Sequence, residues 1–123
     1  MLTVNIQNLG VVSILCLQGR IVRGEMEALR KAVEAQTDVS AVILDLTRVN
    51  TIDAGGLGLL LELRERTQSQ GADFKLMNLQ QLVRKLFEIT RLNSVFGVTS
   101  TAEATFLAAR GRPVVPEELA ACA

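Results

Sequence analysis

The chain has 123 residues, 49% of them hydrophobic, and its 13 Lys and Arg are balanced by 13 Asp and Glu. That length favours a single domain with a core of its own, and the composition is globular rather than disordered. Zero net charge argues against a general polyanion binder, and the absence of Trp and Tyr removes most stacking platforms for single-stranded nucleic acid. The absence of His excludes His-based acid–base catalysis, a Ser-His-Asp triad and His metal ligands.

Val4 to Leu9 alternates as an edge strand, Asn8-Leu9-Gly10 reads as a turn, and Val11 to Leu17 as a second strand. So short a connection implies an antiparallel hairpin. Gln18-Gly19-Arg20 breaks the run. Gly24 to Ala35 then has helical spacing, with Met26, Leu29 and Val33 on one face and Glu25, Arg30, Lys31 and Glu34 on the other. Ala41 to Leu46 is a buried strand that leads into a polar turn ending at Asp53. Asp53 to Gln70 is a second helix, closed by Gly71. Phe74 to Met77 is a short strand. Gln80 to Thr90 is a third helix with Leu82, Val83, Leu86 and Ile89 as its core stripe. Phe96-Gly97-Val98 is a weak last strand and Ala102 to Arg110 a short final helix.

Strands alternating with helices after the hairpin imply an α/β fold in the order ββαβαβαβα, with a mixed, mostly parallel sheet. The domain is expected over residues 1–111. Residues 112–123 contain both prolines and no clear apolar period, and are expected to form a loose tail. Cys16 and Cys122 are far apart and make no disulfide framework. Cys16 sits in an apolar strand pattern and is expected in the core, which fits a reducing, cytoplasmic setting. No basic region precedes an apolar segment at the N-terminus, which argues against a signal peptide. The apolar runs fall far short of the roughly 18 residues of a membrane helix, so direct membrane insertion is not expected.

The most informative segment is Val42 to Leu61, VILDLTRVNTIDAGGLGLLL. Asp53 stands where an N-cap belongs, and its carboxylate can accept from the N–H of Gly55 or Gly56. The same position can shape a partner or kinase site, and the two roles are compatible. Gly55, Gly56 and Gly58 do not form a nucleotide loop. No Gly-Lys-Ser/Thr follows, and Leu61 stands where the third glycine of a dinucleotide motif would be. Glycines in a helix cost up to about 1 kcal/mol each, so close approach of another backbone is expected here, from a neighbouring strand or a partner protein. Asp45 and Asp53 lie near one strand end, but nothing supplies a third metal partner, and Asp45 reads as a structural hydrogen-bond acceptor. Arg64, Arg66, Arg84, Lys85 and Arg91, beside Glu62, Glu65 and Glu88, read as solvated helix faces. Leu57, Leu59, Leu60, Leu61 and Leu63 exceed one core stripe, which leaves apolar surface near the start of the second helix for a partner.

The element order and the segment VILDLTRVNTIDAGGLGLLLELRER resemble the STAS domain, the anti-sigma-factor antagonist fold. The stretch GADFKLMNLQQLVRKLFEITRLNSVF resembles the same family's fourth strand and third helix, and the likeness spans residues 3 to 110. The resemblance implies a bacterial, cytoplasmic binding module rather than an enzyme, with no cofactor and no metal. Its implied partner is an anti-sigma factor, in many cases a serine kinase related to histidine-kinase ATPase domains. The implied binding residues are Asp53, Ala54, Gly55, Gly56 and Leu57. In the family a Ser or Thr at the start of the second helix is phosphorylated to release the partner. Here the equivalent positions are Ala54 and Gly55, neither with a hydroxyl, and the nearest hydroxyl is Thr51. The resemblance therefore implies a regulator without the usual serine switch, binding constitutively or governed by its expression level. Loss of the acceptor also suits a structural subunit, in a regulatory scaffold or beside a membrane lipid transporter.

Overall fold

Gly10, at a φ of 67°, takes the left-handed conformation that a tight turn between two twisted strands requires. It joins β1 (Thr3–Leu9) to β2 (Val12–Ile21), which pair antiparallel from Leu9 opposite Val12 to Thr3 opposite Gln18. The structure, a computed structural model, describes residues 2–99. It continues through α1 (Glu27–Glu34), β3 (Ala41–Ile52), α2 (Ala54–Ser69), β4 (Asp73–Met77), α3 (Gln81–Ile89), a 3-10 turn at Leu92–Ser94 and β5 (Gly97–Thr99). The helix expected at Ala102 to Arg110, the tail 112–123 and Cys122 lie outside the described residues.

The five strands lie in the order β1-β2-β3-β4-β5, and β2 through β5 are parallel. Successive parallel strands that step in one direction with right-handed crossovers place their connecting helices on one face of the sheet. The core agrees. Leu29 and Val33 of α1, Leu60 and Leu63 of α2, and Val83 and Phe87 of α3 share one cluster with Leu15, Leu17, Val42, Leu44, Leu46, Phe74 and Leu76. The alternate strand residues Val12, Ile14, Ala41, Ile43 and Met77 form a second cluster with Leu9. This is the period-two alternation of side chains across a sheet. Phe96 closes one end of the main cluster, its ring stacked 5.7 Å from that of Phe87 and tilted 6.2 Å from that of Phe74.

Five expectations need correction. Gln18-Gly19-Arg20 does not end the second strand, and the polar stretch after Leu46 is not a turn. Both strands run on together, from Cys16 opposite Asp45 to Ile21 opposite Ile52, through two register shifts, with Gly19 at a φ of 119°. Thr47, Arg48, Asn50 and Thr51 are exposed, while Val49 and Ile52 are buried, so the polarity that reads as a turn belongs to a strand with one wet side. The first helix is shorter than expected. Gly24, at a φ of 92°, lies outside it and Met26 occupies its N-cap position. On α3 the buried residues are Val83 and Phe87, whereas Leu82 and Ile89 are exposed and Leu86 is half-buried. Cys16 is half-buried against the second cluster and is disulfide-bonded, contrary to the reading that left both cysteines outside any disulfide.

Candidate functional site

The long β2–β3 pair carries the start of α2 to the end of the sheet, where three chain segments meet at Asp53. Its backbone is extended, with a φ of −99° and a ψ of −178°, as an N-cap requires. Oδ1 accepts from the Gly56 N–H at 2.8 Å, which satisfies one of the donors that a helix start leaves unpaired. Oδ2 accepts from the Arg23 N–H at 3.1 Å, and the Asp53 N–H donates to the Ile21 carbonyl at 3.3 Å. One residue therefore fixes the end of β2, the first turn of the β2–α1 connection and the first turn of α2. The hydrogen bonds from Gly56 and then Arg23 favour the charged carboxylate and hold its pKa below the ordinary 3.8.

The glycines that follow are distinct in purpose. A Cβ on Gly56 would lie 2.0 Å from the Ile21 carbonyl oxygen, so α2 can seat against β2 only with glycine there. The close backbone is thus the neighbouring strand. At Gly55 a Cβ would lie 3.2 Å from the Arg23 Cβ, a tight but adjustable contact. At Gly58 it would meet nothing within 4 Å.

The expected site residues are consecutive at this end of the sheet, and all but Gly56 reach the surface. Asp53 and Ala54 are exposed, Gly55 and Leu57 half-buried, and Gly56 buried. Ala54 opens α2 as its first helical residue and is exposed. Further along, Leu59, Leu60 and Leu63 are core and Leu61 is 36% exposed, so the surplus of leucines leaves one apolar side chain outside. Ile21 and Arg23 belong to the site and are absent from the sequence-based set. Arg23 is 30 residues from Asp53, and no linear spacing reports that contact.

Asp45 does not join Asp53. It is buried in mid-strand, opposite Cys16 and Met77, and accepts from the Thr47 N–H at 2.9 Å and the Thr47 hydroxyl at 2.5 Å. The intervening stretch of β3 separates the two carboxylates by more than about 20 Å. Among the described residues no group of three His, Cys, Asp or Glu is placed to hold a metal ion, and no helix is long and apolar enough to cross a membrane. Arg66, Arg84, Lys85 and Arg91 are exposed on solvated faces, and two ion pairs cross between helices. Arg30 pairs with Glu62 at 3.0 Å and Arg66 with Glu34 at 3.1 Å, linking α1 to α2 across helices.

The fold and this capped, glycine-seated helix start define a small α/β module that presents backbone and short side chains at this end of the sheet. The family model of the STAS domain matches residues 3–105, and the chain belongs to that family. It is 33% identical over 93 residues to BtrV of Bordetella bronchiseptica, named for anti-sigma factor antagonism, across 74% of this chain and 80% of that protein. Among solved structures it is similar to an anti-sigma factor antagonist from Mycobacterium paratuberculosis. The TM-score is 0.71 at 20% identity, over 99% of this chain and 94% of the other. It is also similar to the Bacillus antagonist SpoIIAA in its unphosphorylated form, with a TM-score of 0.70 at 23% identity, over 92% and 99% of the two chains. At these identities the structural likeness speaks to the fold.

Proposed function

We propose that this protein is an anti-sigma factor antagonist that binds its anti-sigma factor through Asp53, Ala54, Gly55, Gly56 and Leu57 without a serine switch. It acts in the bacterial cytoplasm as a binding module rather than an enzyme. The observation that carries this reading is the exposed Ala54 methyl at the first position of α2, held in place by the Asp53 cap. A phosphate there would add about −1.5 to −2 charges, and a helix N-terminus would accommodate it within the protein. An interface packed on an uncharged methyl would not. Ala54 therefore keeps the site permanently in its binding form, and control falls to the amount of protein made.

The partner supported by the family relationship is a kinase-type anti-sigma factor. The alternative, a structural subunit of a scaffold or of a membrane lipid transporter, draws on the same missing hydroxyl. Affinity capture from the native lysate separates them, with Ala54→Asp as control. A kinase-like anti-sigma factor recovered by the natural chain and lost with Ala54→Asp supports the proposal. Recovery of transporter or scaffold subunits overturns it. With purified partner, Ala54→Asp is expected to weaken binding at least tenfold, and Ala54→Ser to become a phosphoacceptor if that partner is a kinase.

A further inference from the structure

α1, α2 and α3 all pack on one face of the sheet, yet the opposite face is equally dry. Val12, Ile14, Ala41, Ile43 and Met77 are at most 1% exposed there, and Leu9 is 2% exposed. Among the described residues this cluster holds only strand residues and Val11 of the hairpin turn, with nothing from a helix. Neighbours on one face of a sheet flank a side chain without covering it, and parallel strands are characteristically covered on both faces. Further chain therefore lies over Ile14 and Ile43. They are buried in a single chain, so neither a second copy nor a partner protein is the cover. Outside residues 2–99 the chain has Met1 and residues 100–123, and only the second is long enough to cross the sheet.

Cys16 locates the end of that segment. It packs against the second cluster and is disulfide-bonded. The sequence holds one other cysteine, Cys122, so within one chain the bond is Cys16–Cys122. The reach is sufficient. Thr99 is opposite Met77, Met77 opposite Asp45, and Asp45 opposite Cys16, so three strand spacings, about 14 Å, separate Thr99 from Cys16. Cys122 lies 23 positions beyond Thr99, a length of about 35 Å even if wound as helix. The segment brings Phe106, Leu107, Val114, Val115 and Leu119 as apolar cover.

We propose that residues 100–123 form a strap over the second face of the sheet, fastened by a Cys16–Cys122 disulfide that makes the cover sensitive to redox state. Disulfides in a reducing cytoplasm are chiefly transient and redox-sensing, which suits a fastening better than a permanent staple. Closing the strap joins the two thiols and passes two electrons and two protons to an oxidant, a peroxide or a small disulfide. A dithiol returns them and frees Cys122, after which only apolar contact holds the strap.

The test uses the purified full chain, oxidised with glutathione disulfide or reduced with dithiothreitol. Non-reducing peptide mapping of the oxidised monomer should join the Cys16 and Cys122 peptides. Gln7 is half-buried on the same face, opposite Ile14, and is replaced with the photo-crosslinking residue benzoylphenylalanine. On irradiation the oxidised chain should crosslink to a peptide within residues 100–123. The yield should fall at least fivefold on reduction, and equally with Cys122→Ser, with the circular dichroism spectrum unchanged. A dimer linked Cys16 to Cys16, no crosslink into residues 100–123, or a yield indifferent to reduction would each overturn the proposal.

Discussion

Gly56 and Gly58 lie two positions apart on the same helix and have opposite requirements. Gly56→Ala would drive a methyl into the Ile21 carbonyl, a backbone atom that cannot rotate away. The expected loss is about 3 kcal/mol, read as a lower urea midpoint. Gly58→Ala meets open space, so the same substitution is expected to stabilise by about 0.5–1 kcal/mol through helix propensity. A common sign for the two would refute the seating of α2 on β2. Asp53 sets the acid response of this end. Its folded pKa lies below the unfolded value, so its contribution is present above pH 3.8 and is lost as pH falls through the folded value. Asp53→Asn should therefore lower Tm at neutral pH and flatten the decline of Tm on acidification below about pH 5. The cap at Asp53 was legible in the sequence because an N-cap carboxylate and its N–H donor, Gly56, are three residues apart. The bonds to Ile21 and Arg23 were not, because they depend on where β2 ends in space.

At the scale of elements, α2 combines the proposed binding end with a structural body. Ala54→Asp places a negative charge on the positive end of the helix, so it is expected to stabilise the isolated protein by about 0.3–1 kcal/mol while weakening the partner complex. A raised Tm together with lost binding would separate the interface from folding, which a destabilising variant could not do. The crossed pairs Arg30–Glu62 and Arg66–Glu34 are largely solvated, and removing either should change stability by less than about 1 kcal/mol. On α3 the helical period was legible but its buried side was not. Leu82, Val83, Leu86 and Ile89 fit a helical stripe in sequence, yet the helix rolls so that Val83 and Phe87 face the sheet. Phe87 wins the interior because Phe96 and Phe74 wait there to pack with it.

Across the whole molecule, the sheet carries apolar residues on both faces. Ile43 and Leu44 are neighbours in β3, both fully buried, in different clusters. Ile43→Ala and Leu44→Ala are each expected to cost about 2–5 kcal/mol with an unchanged urea m-value, because both faces share the same central strands and unfold together. A stability loss confined to one variant would show that the two clusters are separate units. What the sequence by itself determined was the order of elements through β5, the capped start of α2 and the absence of a hydroxyl at Ala54 and Gly55. These rest on local spacing and residue type, which a linear reading contains. Only the tertiary structure decided that β2 and β3 extend together, that Ile21 and Arg23 join Asp53, and that α3 leaves Leu82 and Ile89 outside. Each of those depends on a neighbour distant in sequence: a strand that completes another's hydrogen bonds, a carbonyl that excludes a Cβ, and an aromatic cluster that selects which side of a helix is buried.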